Sequence, residues 1–174
     1  MAERQLDDLA MRFRDAMSAV CTPVAVVTAM DGERPHGTTV SAFASLSMSP
    51  PSVLVSLDRG SDLLSLVLRS GTFGMNVLGS AQSALAAQFA RKGTDKFDGV
   101  SWRADAGVPR LADVPHWLAA EVMDTVDAAD HTVVFGRVVQ VASAEIAPLT
   151  YHARVFGTHA ALPETATTGS GAQR

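Results

Sequence analysis

Hydroxyl side chains are concentrated in one stretch of this sequence, between Gly37 and Pro51. Ser and Thr alternate there with apolar residues, and a Pro-Pro pair closes the stretch. The alternation predicts a single strand with one hydroxyl-lined face and one apolar face. The hydroxyl-lined face would carry Thr39, Ser41, Phe43, Ser45 and Ser47, and the apolar face Val40, Ala42, Ala44 and Leu46.

Two interpretations of this strand stay open from the stretch alone. Hydroxyl and strand N–H groups form hydrogen bonds without adding charge, so such a face suits a polar, partly aromatic ligand. An edge strand with solvated Ser and Thr gives the same pattern, and Pro50-Pro51 fits the end of any strand.

Two further segments could bind an anion. Asp58-Arg59-Gly60-Ser61 leads into a predicted helix, and the free N–H groups at a helix start favour negative charge. Three cations, Arg91, Lys92 and Lys96, lie between Phe89 and Phe97. The alternatives are a solvated surface arginine in the first segment and a solvated loop in the second.

Two more segments contain groups that could hold a proton or a phosphate. His131 follows Asp130 near the start of a predicted strand, and Arg154 ends the segment Tyr151-His152-Ala153-Arg154. A histidine can exchange a proton near neutral pH, and an arginine can bind phosphate oxygens. A structural histidine and an ordinary C-terminal strand are the alternatives.

Hydrophobic periodicity predicts the elements that must position these groups. The predicted helices cover 6–19, 63–68 with Ser61 as N-cap, and 81–90 with Ser80 as N-cap. The predicted strands cover 24–29, 52–58, 72–78, 118–126 and 132–145, and a turn at 30–35 joins the first to the hydroxyl-rich strand. Many strands with few helices indicate a mainly β fold, a β-barrel with flanking helices.

Composition excludes several classes of protein. The 174 residues suit one domain, and a hydrophobic content of 47% argues against disorder. The net charge of −4 argues against a nucleic-acid binder. We expect no membrane contact and a cytoplasmic location, because the sequence shows neither a signal peptide nor a long apolar run.

The sequence also lacks the patterns of several other sites. The five His residues have no metal-ligand spacing, so no metal site is expected. The single Cys21 excludes an internal disulfide and is predicted to be buried. There is no Gly-x-Gly-x-x-Gly, no Walker loop and no Gly-x-Ser-x-Gly, so neither a Rossmann domain nor a serine hydrolase is expected.

The stretch 37–51 resembles the G-x-T-x-S-x-F-x-S-x-S-x-x-P-P signature of short flavin reductases, which have an FMN-binding split-barrel fold of Greek-key type. Other segments typical of the family occur in the family order. They lie at 13–17, 24–28, 73–78, 130–138 and 148–154, and Gln82 and Phe89 lie between the third and the fourth of them. The resemblance covers about 11–157. Within the family, the chain is similar to the reductase component of hydroxyphenylacetate hydroxylase. The order and spacing of the motifs make it specific.

The resemblance implies a set of flavin contacts. The backbone of Thr39, Val40 and Ser41 would meet the edge of the flavin ring. The ribityl chain, the phosphate and the surroundings of the flavin would involve Ser45, Leu46, Ser47, Arg59, Ser61, Phe89, Arg91 and Lys92.

The resemblance also implies contacts with the nicotinamide cofactor. His131 is the candidate catalytic residue, which would orient the nicotinamide carboxamide or assist protonation near flavin N1. Tyr151 and Arg154 would lie at the cofactor, with Arg154 at its phosphates, either within one chain or across a dimer. The family commonly has Gly where this chain has Ala129, which puts the turn before His131 in question.

The implied function is reduction of FMN or FAD by NADH or NADPH, with reduced flavin passing by diffusion to a partner monooxygenase. The family also implies a homodimer. We expect a split-barrel domain over 1–160 and a disordered tail over 161–174. The alternatives are a flavin- or haem-binding barrel without turnover and a flavoenzyme similar to pyridoxamine-phosphate oxidase.

Overall fold

The computed structural model describes residues 2–93 and 95–162, so most of the predicted tail lies outside the described residues. Strands dominate, as predicted. The elements in chain order are α1 (Ala2–Ser18), β1 (Thr22–Pro23), β2 (Ala25–Asp31), β3 (Arg34–Val40), β4 (Phe43–Met48), β5 (Pro51–Asp58), α2 (Asp62–Ser70), β6 (Thr72–Val77), α3 (Ser83–Ala90), β7 (Trp102–Asp105), β8 (Val108–Leu111), β9 (His116–Ala128), β10 (His131–Ser143), β11 (Leu149–His152) and β12 (Val155–Thr158).

Seven of the strands form one sheet in the order β3-β2-β6-β9-β10-β5-β4. A flat sheet of this size would hold its two edge strands about 29 Å apart, since neighbouring strands lie about 4.8 Å apart. Only Ser41 and Ala42 join β3 to β4, and three Cα steps span at most about 11 Å. The sheet must therefore curl until its two edges meet at this link, which makes an open, or split, barrel.

Two hydrophobic cores lie on opposite faces of this curled sheet. On β2, Ala25 and Val27 belong to the first core, while Val24 before the strand and Val26 within it belong to the second. Four buried side chains of α2 complete the first core: Leu63, Leu64, Leu66 and Val67. The second core lies beneath α3, the β7–β8 hairpin and β11. Helices α2 and α3 therefore cover opposite faces of the sheet.

A buried amide ties three strands together. The Asn76 side chain donates to the carbonyls of Val26 and Pro109 and to the Thr28 hydroxyl, at 3.2–3.3 Å. Its oxygen accepts from the Leu111 N–H at 2.8 Å. Because Asn76 is fully buried, these partners satisfy a side chain that water cannot reach.

Helix α1 forms as predicted, but the other described residues do not bury its apolar side. Leu9 and Phe13 are 62% and 64% exposed. The prediction that Cys21 is buried was wrong, because Cys21 lies in the exposed link that follows this helix.

The structure corrects one other local prediction and adds a hairpin that the sequence did not predict. Helix α3 starts at Ser83 with Gln82 as N-cap, so Ser80 is not the cap. The segment between α3 and β9, for which no strand was predicted, contains the β7–β8 hairpin, and each of its strands has only four residues, too few for an alternating pattern to reveal. The two long strands β9 and β10 are confirmed as a hairpin.

Replacing Asn76 by Ala should lower the free energy of unfolding by about 3 kcal/mol, because it leaves buried backbone groups of β8 without partners. Urea denaturation measures this change. As a control, Gln140→Ala removes an exposed side chain that donates to Asp105 and should cost under about 0.5 kcal/mol. Equal losses in the two variants would contradict the role of Asn76.

Candidate functional site

The predicted hydroxyl-rich strand is two strands, and the prediction of a single strand was wrong. β3 ends at Val40 and β4 begins at Phe43, at opposite edges of the sheet. Both halves are extended and alternate polar with apolar residues, so the sequence pattern continues across the break. The break occurs because the chain must leave one edge of the barrel and start the other.

The common hydroxyl face is also interrupted inside β4. The register with β5 shifts between Ser45 and Ser47, which leaves Leu46 as the bulged residue. The Ser47 hydroxyl accepts from the Ser49 N–H at 3.1 Å and so stabilises the local turn. Ser45 is exposed, and Leu46 is 46% exposed.

A cavity of about 310 Å³, here called the β3 cavity, lies where β3 meets the link. It brings together five residues that the sequence predicted: Thr39, Val40, Ser41, Tyr151 and Arg154. The other lining residues are Val24, Ala86, Ala87, Ala90 and Phe156. More than one hundred residues separate the two predicted groups along the chain, so folding alone assembles them.

Helix α3 is fixed on β3 by close contacts at the floor of the β3 cavity. The Thr39 hydroxyl donates to the Ala86 carbonyl at 2.7 Å, so its backbone rather than its hydroxyl remains for a ligand. A Cβ on residue 37 would lie only 3.0 Å from the Phe89 ring. This close approach explains why residue 37 is a glycine. The short side chains of α3 then leave room above the strand.

The far wall of the β3 cavity comes from the β11–β12 hairpin. The rings of Tyr151 and Phe156 contact each other with centroids 5.1 Å apart. Ala153 and Arg154 form the turn with φ of 48° and 64°, so Arg154 lies in a turn and not in a C-terminal strand. Its guanidinium donates to Asp15 of α1 at 2.6 Å, which holds a positive charge at the cavity wall.

A second polar cluster flanks the same link from the β5 side. The Ser56 N–H donates to the Ala42 carbonyl at 2.9 Å, so the link lies against β5 two residues before Asp58. Asp58 pairs with His131 at the start of β10. The predicted residues Arg59, Ser61 and His131 are therefore close to the link, although they do not line the β3 cavity.

Backbone and side-chain bonds order this second cluster. The Arg59 N–H donates to the Asp130 carbonyl at 3.0 Å, and its guanidinium lies 3.4 Å from the Asp127 carboxylate. The Ser61 hydroxyl accepts from the Leu64 N–H at 3.1 Å, which confirms Ser61 as the N-cap of α2. The N–H groups of Asp62 and Leu63, in the first turn of α2, have no carbonyl partner inside the helix.

His131 is oriented by the residue before it. The Asp130 carboxylate lies 2.8 Å from His131 Nδ1, and this hydrogen bond holds the pKa of Asp130 below its ordinary value. With Nδ1–H donating to Asp130, Nε2 of a neutral ring is the acceptor. Ala129 takes φ of 53°, so it adopts the left-handed conformation that glycine favours, and the turn is kept.

The remaining predicted residues lie around α3. Phe89 is fully buried and contacts Phe97 edge-on at 4.9 Å, so it supports β3 from below. Arg91 and Lys92 are exposed just after the helix. The neighbouring Lys96 donates to the Gly37 carbonyl at 3.2 Å, a contact that the predicted residue set did not include.

Sequence reasoning missed the small side chains that shape the β3 cavity. Ala86, Ala87 and Ala90 line it from α3, and Val24 lines it from the start of β2. The sequence signal that could have found them is the alanine-rich composition of α3. This composition predicted a helix but did not show which of its faces a ligand would contact. Phe156 was missed because the β12 strand was not predicted.

Within the described ranges 2–93 and 95–162, no group of three or more His, Cys, Asp or Glu residues is arranged to hold a metal ion. Among the same residues, no helix is long and apolar enough to cross a membrane.

Residues 17–160 match the family described as the flavin reductase like domain. The match extends over most of the chain, so the chain belongs to this family. The fold and the site thus define a flavin reductase with a split barrel.

Individual relatives agree with this assignment. The chain is 38% identical over 127 residues to the NADH-dependent flavin reductase StyB of Pseudomonas fluorescens, with 72% of this chain and 74% of that protein covered. It is also 38% identical over 128 residues to a probable flavin reductase of Rhizobium meliloti (strain 1021). That protein is longer: the match covers 72% of this chain, which spans 41% of that relative's length.

Solved structures share the fold. The styrene monooxygenase flavin reductase SMOB of Pseudomonas putida S12 is 34% identical with a TM-score of 0.79, over 87% of this chain and 98% of that chain. The NADH:FAD oxidoreductase SgcE6 of Streptomyces globisporus C-1027 was solved with NAD and FAD fragments. It is 27% identical with a TM-score of 0.82, over 87% of this chain and 93% of that chain.

These findings confirm the predicted family, the mainly β split-barrel fold and the predicted enzyme class, an NAD(P)H:flavin oxidoreductase. The roles of the individual residues and the domain boundary at 160 stay predictions.

Ala87→Phe should weaken flavin binding by about tenfold or more, because the ring would fill the β3 cavity from its α3 side. Quenching of flavin fluorescence on titration measures the Kd. Ala84→Phe is the matched control, since Ala84 is exposed on the same helix and does not line the cavity. Equal Kd values for the two variants would place the flavin elsewhere.

Proposed function

We propose that this chain passes hydride from NADH or NADPH to FMN or FAD held at the β3 cavity, and that the reduced flavin serves a partner monooxygenase. The observation that carries the proposal is the β3 cavity itself. It combines an edge strand, small apolar side chains, two aromatic rings and one guanidinium at the corner where the barrel edges meet.

The residues present fit a flavin ring. Such a ring has two flat faces and a row of donors and acceptors along one edge. The outer N–H and C=O groups of an edge strand such as β3 have no neighbouring strand to pair with, so they can meet that row. The cavity of about 310 Å³ lies at the lower end of the range of about 300–1,000 Å³ for ligand sites, which suits the ring more than a whole dinucleotide.

A bound flavin would supply the hydride acceptor, and the nicotinamide would supply the hydride. The chain supplies orientation and shelter. Backbone groups of Thr39 and Ser41 fix the ring edge, the Tyr151–Phe156 wall excludes water from one side, and Ala86 and Ala87 set the depth. Holding two reactants in register is itself a large part of the rate enhancement.

Two charged or ionisable side chains have separate roles in this proposal. Arg154, held by Asp15, offers further guanidinium N–H groups to the phosphates of the nicotinamide cofactor. His131, held by Asp130, presents Nε2 either to the carboxamide of the nicotinamide or to a proton near flavin N1.

Names of relatives support the proposed partner. SMOB is named a styrene monooxygenase flavin reductase, and HsaB of Rhodococcus jostii (strain RHA1) is named the reductase subunit of a flavin-dependent monooxygenase. Backbone, hydroxyl and small apolar groups dominate the β3 cavity of this chain, without a covalent or metal anchor among the described residues. Such a lining is compatible with release of reduced flavin, which would reach the oxygenase by diffusion.

We also propose that the working form is a homodimer in which a second copy covers α1. None of the described residues covers the apolar face of α1, and several side chains of the β9–β10 hairpin are likewise exposed, among them Met123, Val126, Val139 and Val141. Exposed apolar patches of this kind mark interaction sites. Asp15, on the polar side of α1, contacts Arg154 at the wall of the β3 cavity, so the helix itself reaches this cavity.

The test of the function is oxidation of NADH and of NADPH by the purified protein with FMN, FAD or riboflavin in turn. Turnover that requires added flavin is the expected result.

His131→Ala should raise the KM for the nicotinamide cofactor or lower kcat by about tenfold while flavin affinity stays within about twofold.

Absence of turnover with every pairing, in folded protein that retains flavin or haem, would instead support a binding protein. Unchanged constants in His131→Ala would remove His131 from the site.

Arg154→Ala should raise the KM for the nicotinamide cofactor by about tenfold, as expected for loss of one phosphate contact.

Phe13→Asp should convert the dimer to monomer, because it places a charge in the apolar face of α1. Sedimentation velocity measures the state. Arg12→Asp introduces the same residue on the polar face of the helix and should leave the dimer intact. A wild-type monomer, or a dimer unaffected by Phe13→Asp, would contradict this interface.

A further inference from the structure

The outer edge of β3 has two residues whose backbone groups face away from the sheet close to the β3 cavity. Val24 directly precedes β2, and its carbonyl accepts from the Leu78 N–H at 2.9 Å. Even positions of β2 thus bond to β6, and odd positions bond to the even positions of β3. Gly37 and Thr39 therefore face outward, as does Pro35, which has no N–H to donate.

These two residues offer the same hydrogen bonds, but only one of them lies at the β3 cavity. Each presents one N–H and one C=O, and the two pairs are about 7 Å apart along the strand. Such a pair complements an adjacent carbonyl and N–H on the edge of a flavin ring. Thr39 lines the β3 cavity, whereas Gly37 does not. Because Gly37 has no side chain, a ring could approach the strand there and pair outside the cavity.

Lys96 occupies the Gly37 position. Its ammonium is half-buried against the strand and donates to the Gly37 carbonyl at 3.2 Å. Burial lowers the pKa of Lys96 below its ordinary value, so this placement has a desolvation cost that the contacts of the ammonium must offset. Thr39 differs, because β3 is the edge of its sheet and the bonds of the described residues leave its outward backbone groups open.

The main chain at Lys96 is anchored to helix α3. The Gln88 side chain donates to the Lys96 carbonyl at 2.9 Å. The next residue, Phe97, packs edge-on against the buried Phe89 with ring centroids 4.9 Å apart. The lysine side chain therefore reaches the edge of β3 from a fixed base, and its contact with the strand is built into the fold.

We propose that Lys96 is a positioning residue for the reductase reaction: it occupies the Gly37 carbonyl, so a flavin ring can pair only with Thr39 and lies in a single register on β3. The inference rests on the proposed function. Lys96 acts through the strand and does not itself contact the flavin. The ring is thereby kept over the alanines of α3 that line the β3 cavity.

The test compares Lys96→Ala, which uncovers the Gly37 carbonyl, with Lys96→Arg, which keeps a cationic donor of similar length. Arg103→Ala is the matched control, because it removes a largely exposed cation of the β7–β8 hairpin that does not line the β3 cavity. Thermal unfolding of each full-length variant establishes that the barrel still folds.

Exchange of individual amides, measured by NMR with and without saturating FMN, reports the register without any turnover. In the wild type, Lys96→Arg and Arg103→Ala, FMN should slow exchange of the Thr39 amide and leave that of Gly37 within about twofold. In Lys96→Ala, FMN should also slow exchange of the Gly37 amide, by about threefold or more. Identical protection in Lys96→Ala and the wild type would overturn the proposal.

Kinetic constants give a second readout. A ring two residues out of register still binds, but it lies too far from the nicotinamide for hydride transfer, which needs reacting atoms about 3–3.5 Å apart. Lys96→Ala should therefore lower kcat about threefold or more and leave the Kd for FMN within about twofold, and Lys96→Arg should restore kcat. A parallel loss of FMN affinity in both Lys96 variants would instead make this lysine a flavin contact and overturn the proposal.

The two readouts separate the role of Lys96 from the proposed function. If Lys96→Ala extends FMN protection to Gly37 but the wild type oxidises neither NADH nor NADPH, the role of Lys96 stays and the reductase activity is rejected. If the wild type turns over and Lys96→Ala leaves the protection unchanged, the role of Lys96 alone is rejected. Self-association of Lys96→Ala with unchanged FMN protection would show that the lysine guards the strand edge against another chain, which also rejects the proposal.

Discussion

The structure depends on one covalent constraint, the two-residue link between the edges of the main sheet. Ser41 and Ala42 cannot span the width of a flat seven-stranded sheet, so the sheet must curl until β3 and β4 meet. Each edge strand then keeps one row of backbone groups without a strand partner, and the two rows meet at a single corner. We propose that the edge of the flavin ring finds its hydrogen-bond partners at this corner, without a buried charge.

The other elements surround that corner in a way that follows from the curl. Helix α3 packs on one face of β3 through Thr39 and leaves the β3 cavity above its alanines. Helix α2 starts beside the end of β5 and packs on the opposite face. The Asp130–His131 pair reaches the corner through its pairing with Asp58 on β5. Residues on three sides of the corner could therefore contact the edge of the flavin ring, the flavin phosphate and the nicotinamide. None of these contacts would disturb either hydrophobic core.

Much of the fold was predictable because strands leave recognisable patterns: β5 and β10 alternate between buried and more exposed residues, whereas β2 is a continuous apolar run buried on both faces. The break at Ser41–Ala42 was not predictable from alternation, since both sides of it are extended and only the choice of neighbouring strand differs. Family resemblance indicated Thr39 and Arg154 as site residues, but no pattern places them together across more than one hundred residues. The exposed position of Cys21 depends on which surfaces meet in three dimensions, and local sequence does not encode that.

Amide hydrogen exchange of the full-length protein with and without FMN tests the central claim most directly, because it reports on the backbone of the link itself. FMN is expected to slow exchange of the amides over 39–42, while the β7–β8 hairpin exchanges at an unchanged rate. Unaltered exchange over 39–42 at FMN concentrations that saturate the protein, or slowing confined to another element, would show that the flavin binds away from the corner where the barrel edges meet.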